Sequence, residues 1–123
     1  MFNAGADGKS PQKAFGIAEA ARRTGDTLWV WGYVVGGDLT NNGIAFEGPF
    51  QKNSNLALAA SATERERSRC FPVELSRAAV RSRLNLVDNP LNLGRKLFLY
   101  GVSATYFGLP GLKNVSDFQW EEE

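Results

Sequence analysis

The chain has 123 residues, of which 43% are hydrophobic and 22% charged, and its formal net charge is +1. This length supports one domain with a hydrophobic core and is too short for two. Because the sequence has no histidine and only one cysteine, Cys70, it excludes an internal disulfide, a Cys/His zinc site and any catalytic dyad or triad that uses histidine. We therefore expect no metal, no cofactor and no catalysis, and we expect Cys70 to be a buried apolar side chain.

The two ends of the chain differ in character from its middle. Residues 1–9 are small and polar and predict a flexible arm. Residues 121–123 are three glutamates and form an acidic tail, so residues 10–120 are left as a single domain. The apolar run at 28–37 is about half as long as a membrane-spanning helix requires, and no signal-peptide pattern starts at Met1.

A first helix is predicted after the arm. Ser10 can cap a helix, and Pro11 suits its first position. The apolar residues that follow recur at helical spacing and would lie on one face: Ala14, Ile17, Ala18 and Ala21.

The next segment, 28–36, is rich in β-branched and aromatic residues and predicts a strand. Its alternation places Leu28, Val30, Gly32 and Val34 on one face and Trp29, Trp31, Tyr33 and Val35 on the other. Since both faces are apolar, we expect both to be covered, the aromatic face by the first helix. Gly32 in mid-strand predicts a bulge or a bend.

The remaining elements follow a polar stretch at 37–55. We predict a hairpin of strands 56–60 and 70–75, a short helix from Ser76 to Leu84 capped by Ser76, and strands at 96–106 and 114–120. Glycine and proline residues in 106–114 predict a loop between the last two strands.

The predicted order is strand, strand, strand, helix, strand, strand, preceded by an N-terminal helix. This is the order of the OB-fold, a five-stranded Greek-key barrel with a helix between its third and fourth strands. The predicted fold class is therefore mainly β with two short helices. A partly open β-sandwich is the alternative, but it would not require the helix from Ser76 to Leu84.

Several motifs carry a resemblance to a known family. They are WGYVVG at 31–36, VRS at 80–82 with LNLVDNP at 84–90, LGRK at 93–96 and YFGLPGLKN at 106–114. Together they span the chain from about Ala14 to Trp120 and resemble a bacterial OB-fold domain family of unknown function (domain of unknown function 6359 type) found in exported or lipid-anchored proteins. The resemblance implies the OB-fold, a role in nucleic-acid binding and export, with this chain as a mature fragment. A chain complete as it stands would instead be cytoplasmic.

Three arginines are candidate phosphate ligands. Arg65, Arg67 and Arg69 alternate in the hairpin tip and would share one side of an extended segment, where guanidinium groups can contact phosphates. The alternative is a solvated tip in which glutamates and arginines form weak ion pairs.

The other candidate ligand-binding residues are mostly aromatic. Tyr106 and Phe107, in the predicted loop between strands four and five, could stack on bases, and so could Trp31. Lys113, from the same loop, could contact phosphates. The alternatives are that Tyr106 and Phe107 plug the mouth of the barrel and that Trp31 packs under the first helix.

The predicted function is that of a non-catalytic module that binds single-stranded nucleic acid. Two alternatives stay open: a protein- or glycan-recognition module of an exported cell-envelope protein, and a structural spacer domain without a ligand. The near-neutral charge favours glycan or protein recognition, whereas the fold and the clustered arginines favour nucleic acid.

Overall fold

A computed structural model describes residues 5–122 and shows five strands that close into a barrel in the order β1-β2-β3-β5-β4. The strands are β1 (Thr27–Gly36), β2 (Asn55–Ala59), β3 (Phe71–Glu74), β4 (Lys96–Tyr106) and β5 (Leu109–Trp120). Neighbouring strands are antiparallel except β3 and β5, which are parallel. The described residues also form two short α-helices, α1 (Ile17–Ala21) and α2 (Ala78–Leu84). The mainly β, OB-fold-like architecture predicted from the order of elements is confirmed.

The interior of the barrel is filled by alternate residues of its strands. The buried side chains include Leu28, Val30, Val34, Leu56, Leu58, Leu97, Leu99, Leu112 and Val115. α2 adds Val80 and Leu84 to this main core, as predicted. The helix begins at Ala78 with Arg77 as its N-cap, so the capping role predicted for Ser76 is wrong.

The predicted N-terminal helix is broken into two pieces. Pro11–Lys13 forms a 3₁₀ turn, and α1 starts only at Ile17. Between them Phe15 pairs with β1, donating its N–H to the Trp29 carbonyl (3.0 Å) and accepting the Trp31 N–H (2.9 Å). Pairing with this free edge of β1 replaces helical hydrogen bonds, which is why the helical spacing misled the prediction.

The helix covers the inner face of β1 and not its aromatic face. Phe15 and Ala20 belong to the main core together with Leu28 and Val30, so the helix does not cover the aromatic face as predicted. Its N-cap residue Gly16 does lie beside Trp31, because a Cβ added there would be 3.7 Å from the indole ring. A Cβ added to Gly32 would lie 2.8 Å from Ile17 Cδ1. Gly32 therefore allows a close approach of α1, and the register shift of β1 lies further along, between Val34 and Gly36.

The predicted arm and tail are partly outside the described residues, which leave out 1–4 and 123. Within the arm, the N–H groups of Asp7 and Gly8 donate to the Lys13 carbonyl, and the Gly8 carbonyl accepts the Trp29 N–H at 2.8 Å. Within the tail, Glu121 donates its N–H to the Lys96 carbonyl. Among residues 5–122, no helix has both the length and the apolar character needed to cross a membrane.

Candidate functional site

The segment 106–114 forms a tight hairpin and not the predicted loop. β4 ends at Tyr106 and β5 begins at Leu109, so only Phe107 and Gly108 form the turn. Both have positive φ, 53° and 75°, as in the two-residue turns whose twist suits antiparallel strands. The hairpin places the rings of Tyr106 and Phe107 side by side, with centroids 4.6 Å apart.

A second hydrophobic cluster fills the outer face of β2 and its neighbours. Its buried members are Val35, Leu39, Ala57, Ala59 and Cys70, and the partly buried Tyr33, Ile44, Phe46, Tyr106 and Phe107 pack against it. In OB-folds this strand face and its flanking loops bind oligonucleotides and oligosaccharides. Here the chain covers the face with its own side chains, so a ligand would meet only the partly exposed groups around it.

The connection between β1 and β2 is held across this face by specific contacts. The Asp38 carboxylate accepts the N–H groups of Gln51 (2.9 Å) and Lys52 (2.7 Å). A Cβ on Gly36 would lie 2.3 Å from the Ala45 carbonyl oxygen, so glycine is needed for the connection to approach β1 this closely. Ala45 also exchanges two backbone hydrogen bonds with Gly37, both 3.0 Å, and so holds the neighbouring Phe46 near the end of β1.

Arg67 joins the hairpin tip to the β4–β5 turn. Its Nη2 donates to the Phe107 carbonyl (2.7 Å) and more weakly to the Thr40 carbonyl (3.5 Å). Its Nε is buried and has no hydrogen-bond partner within residues 5–122. The Arg67 guanidinium therefore holds the β4–β5 turn in place through its hydrogen bond to Phe107 and is not a free cation for a ligand.

Two other predicted cations lie beside aromatic rings. Arg65 is exposed, and its Nη1 donates to the Ala62 (3.1 Å) and Glu64 (2.7 Å) carbonyls of the tip. Its guanidinium carbon lies 5.7 Å from the centroid of the Phe46 ring. The Lys113 ammonium lies 5.5 Å from the centroid of the Tyr106 ring. We call the set formed by these contacts the loop cluster, and it comprises Phe46, Arg65, Arg67, Tyr106, Phe107 and Lys113. Each cation lies next to an aromatic ring, an arrangement suited to phosphates and bases together.

Arg69 and Trp31 do not join the loop cluster. The tip is not extended, because Arg67–Arg69 forms a 3₁₀ turn, and Arg69 lines a separate cavity of about 340 Å³ between α1 and the tip. Trp31 lies on the outer face of β1, where the Lys96 ammonium is 4.5 Å from its ring centroid.

Burial raises the pKa values of two side chains, Tyr106 in the loop cluster and Cys70 in the second hydrophobic cluster. Burial, aided by the charge of Glu74, raises the pKa of Tyr106, while a side-chain hydrogen bond with Asn55 opposes the shift. Burial also raises the pKa of Cys70 to about 11. Cys70 is 4% exposed, which confirms its prediction as a buried side chain.

Phe46 is the member of the loop cluster that the sequence analysis missed. It lies in the polar stretch between β1 and β2, which contains two phenylalanines, Phe46 and Phe50. Aromatic residues in such a stretch were the available signal, but Phe50 belongs to the main core. The hairpin between β4 and β5 was also misread, because the positive φ of Phe107, a residue with a bulky side chain, has no reliable sequence signature.

Comparisons with known proteins agree with the resemblance seen in the motifs. Residues 15–121 match the family described as Domain of unknown function (DUF6359), and the chain belongs to this family. The chain is also 33% identical over 105 residues to "Endonuclease YhcR" of Bacillus subtilis (strain 168), a match that covers 85% of this chain and 8% of that protein. The chain therefore spans less than a tenth of this curated relative. No solved structure gives a significant match.

Proposed function

We propose that this member of the DUF6359 family is a non-catalytic module that binds single-stranded nucleic acid at the loop cluster. The observation that carries the proposal is the pairing of a cation with an aromatic ring at two places, Arg65 with Phe46 and Lys113 with Tyr106. Both rings pack against the same second hydrophobic cluster. Likeness to a segment of an endonuclease adds support, since that protein is named for acting on nucleic acid.

Each member of the loop cluster has a role in the proposal. Arg65 and Lys113 contact phosphates, and the partly exposed rings of Phe46 and Tyr106 stack on bases, with each stack worth about 1–3 kcal/mol. Arg67 positions Phe107 through its hydrogen bond to the turn. Phosphate and ring contacts carry little sequence information, so binding is weak and tolerant of sequence.

The module is proposed to bind and not to cleave. The sequence has no histidine, and its one thiol is buried with a pKa raised to about 11, so it is protonated at neutral pH. Because the chain matches only 8% of the endonuclease, the proposal places cleavage in that protein outside the matching segment. Incubation of the purified chain with labelled single- and double-stranded DNA and RNA tests this point, and cleavage by the chain would contradict it.

A charge-matched pair of variants tests the site. Fluorescence anisotropy of a labelled mixed-sequence oligonucleotide of about 15 nucleotides should report saturable binding by the wild type. The double variant R65A/K113A should lose about tenfold or more in affinity, because it removes both cations proposed to contact phosphates.

The matched control is K13A/R22A, which removes two exposed cations from the N-terminal region. It should bind nearly as well as the wild type. Equal losses in the two double variants would show that only overall charge matters and would overturn the assignment to the loop cluster.

We also propose that the protein containing this domain is exported. The support is the resemblance to a family found in exported or lipid-anchored proteins. Cell fractionation tests it: the chain should be found in the envelope or the medium, and its confinement to the cytosol would contradict export.

A further inference from the structure

The outer face of β1 and β4 carries a ladder of aromatic residues. Directly opposite residues on the two strands are Trp29 with Tyr100, Trp31 with Phe98, and Tyr33 with Lys96. We call these six residues the aromatic ladder. They alternate with residues of the main core, such as Val30 and Leu99, so they point away from the barrel interior.

Most of the aromatic ladder is partly exposed to solvent. Trp31, Tyr33, Phe98 and Tyr100 are partly exposed, whereas Trp29 is buried against Tyr100, with ring centroids 5.5 Å apart. Within residues 5–122, Arg67 Nε is the one buried side-chain N or O atom that lacks a hydrogen-bond partner. The indole N–H of Trp31 and the hydroxyls of Tyr33 and Tyr100 can therefore form hydrogen bonds with solvent or ligand.

A column of acceptors borders the ladder on β5. Asp117 lies opposite Tyr100 and Gln119 opposite Phe98, and both are exposed. The intervening Phe118 packs against the main core, so Asp117 and Gln119 face outward with the ladder. Glu121 extends the column beside Lys96, with the carboxylate 3.1 Å from the ammonium.

The charge of this face distinguishes it from the loop cluster. Lys96, the cation of the ladder, is paired with Glu121, and Asp117 adds a negative charge. Such a face repels polyanions and lacks free cations for phosphates. Its ligand must instead offer apolar surfaces to the rings and hydroxyl groups to the carboxylates and the amide.

We propose that the aromatic ladder and the acceptor column form a second binding face for a neutral polysaccharide. The flat C–H faces of sugar rings stack on Trp31, Phe98 and Tyr100, and sugar hydroxyls donate to Asp117 and Gln119. Outward residues repeat about every 7 Å along each strand, and adjacent strands lie about 4.8 Å apart. The face therefore extends over several sugar units of a chain.

Affinity electrophoresis tests the proposal. Native gels are cast with hydroxyethylcellulose, xylan, laminarin or galactomannan, and migration is compared with a polymer-free gel. At least one polymer should retard the wild type. W31A and F98A should each weaken the interaction about tenfold, and W31F should retain most of it.

Two further variants keep the result interpretable. D117A/Q119A alters only exposed side chains, so it should stay folded and should still weaken retardation about tenfold. F46A, in the loop cluster, should be retarded like the wild type. The proposal is overturned if no polymer retards the folded wild type, if the ladder and column variants are retarded as strongly as the wild type, or if F46A alone loses retardation. Oligonucleotide binding is measured on the same variants and should not change in D117A/Q119A. The proposal for the aromatic ladder and the proposal for the loop cluster are thereby tested independently.

Discussion

Arg67 determines how the loop cluster is held together. Its guanidinium connects the hairpin tip to the carbonyl of Phe107, and its buried Nε has no partner in the described part of the chain. A hydrogen bond from a charged donor contributes about 1.5–3 kcal/mol, but an unpaired buried N–H lowers the net gain. Arg67 therefore stabilises the turn, but its unpaired buried Nε reduces the free energy that the hydrogen bond contributes.

Replacing Arg67 by alanine should lower the free energy of unfolding by about 1–2 kcal/mol, because the charged hydrogen bond is lost while the unpaired Nε is removed. Arg65→Ala, which alters an exposed neighbour, should change it by less than about 0.5 kcal/mol. Denaturant unfolding measures both. Equal effects of the two variants would contradict the positioning role of Arg67.

The raised pKa of Cys70 makes the free energy of unfolding depend on pH in the alkaline range. Its pKa in the fold is about 11, raised first by burial and then by the charge of Glu64, whereas the pKa of an unfolded thiol is about 8.5. Between these values the folded chain holds a proton that the unfolded chain has released, so stability falls as pH rises. The thiol's contribution is fully present below the unfolded pKa and is lost as the pH passes through the folded one.

We therefore expect the free energy of unfolding to fall between about pH 9 and pH 11 by up to ~2 kcal/mol more in the wild type than in Cys70→Ala. Urea titrations of both proteins across this range give the difference. Parallel pH profiles would show that the thiol ionises as readily in the fold as in the unfolded chain.

At the scale of elements, the junction of β3 and β5 closes the barrel. These strands are parallel, with Val73 opposite Leu112, and they approach closely at Gly111. A Cβ at Gly111 would lie 2.3 Å from the Pro72 carbonyl oxygen, and a backbone atom cannot move aside as a flexible side chain can. Glycine at this position is thus a condition of barrel closure.

Gly111→Ala should lower the free energy of unfolding by about 1–3 kcal/mol, as expected for overpacking. Gly43→Ala is the matched control, since its Cβ would meet only Thr40 Oγ1 at the ordinary distance of 3.5 Å. Thermal unfolding compares the two variants. A stable Gly111→Ala protein would mean that β3 and β5 are further apart than described.

The predictable elements are those in which the barrel core selects the apolar positions. Apolar residues then alternate along a strand or recur at helical spacing along a helix. Val30 and Val34 alternate with outward residues on β1, and Val80 and Leu84 share one face of α2. The prediction of one continuous N-terminal helix was wrong because the pairing of Phe15 with β1 outweighs the local helical preference. Helical spacing in the sequence does not reveal that β1 leaves a free edge for that segment.

The candidate site was predictable in composition but not in geometry. Arg65, Tyr106 and Lys113 were identified by residue type. Lys113 lies beside Tyr106 and Arg65 beside Phe46, and the two rings pack against the same hydrophobic cluster. Arg69 failed to join them because the 3₁₀ turn of the tip rotates it away. Such a turn depends on how the tip packs, and the alternating arginines of the sequence give no sign of it.

At the scale of the whole molecule, the barrel presents two faces of different charge. The loop cluster has Arg65 and Lys113 beside aromatic rings, whereas the aromatic ladder is bordered by acidic and amide groups. A net charge of +1 therefore conceals a local separation of charge. Long-range attraction to a polyanion is weak for such a molecule, and binding depends on the local site.

The salt dependence of oligonucleotide affinity is the most direct test of the central claim. With two phosphate contacts and a slope of about −0.7 for each on single strands, affinity should fall roughly sevenfold between about 50 and 200 mM salt. R65A/K113A should bind weakly at both salt concentrations and lose most of this dependence. Absence of binding by the folded wild type at the lower salt, or an affinity that salt leaves unchanged, would contradict phosphate recognition by the loop cluster.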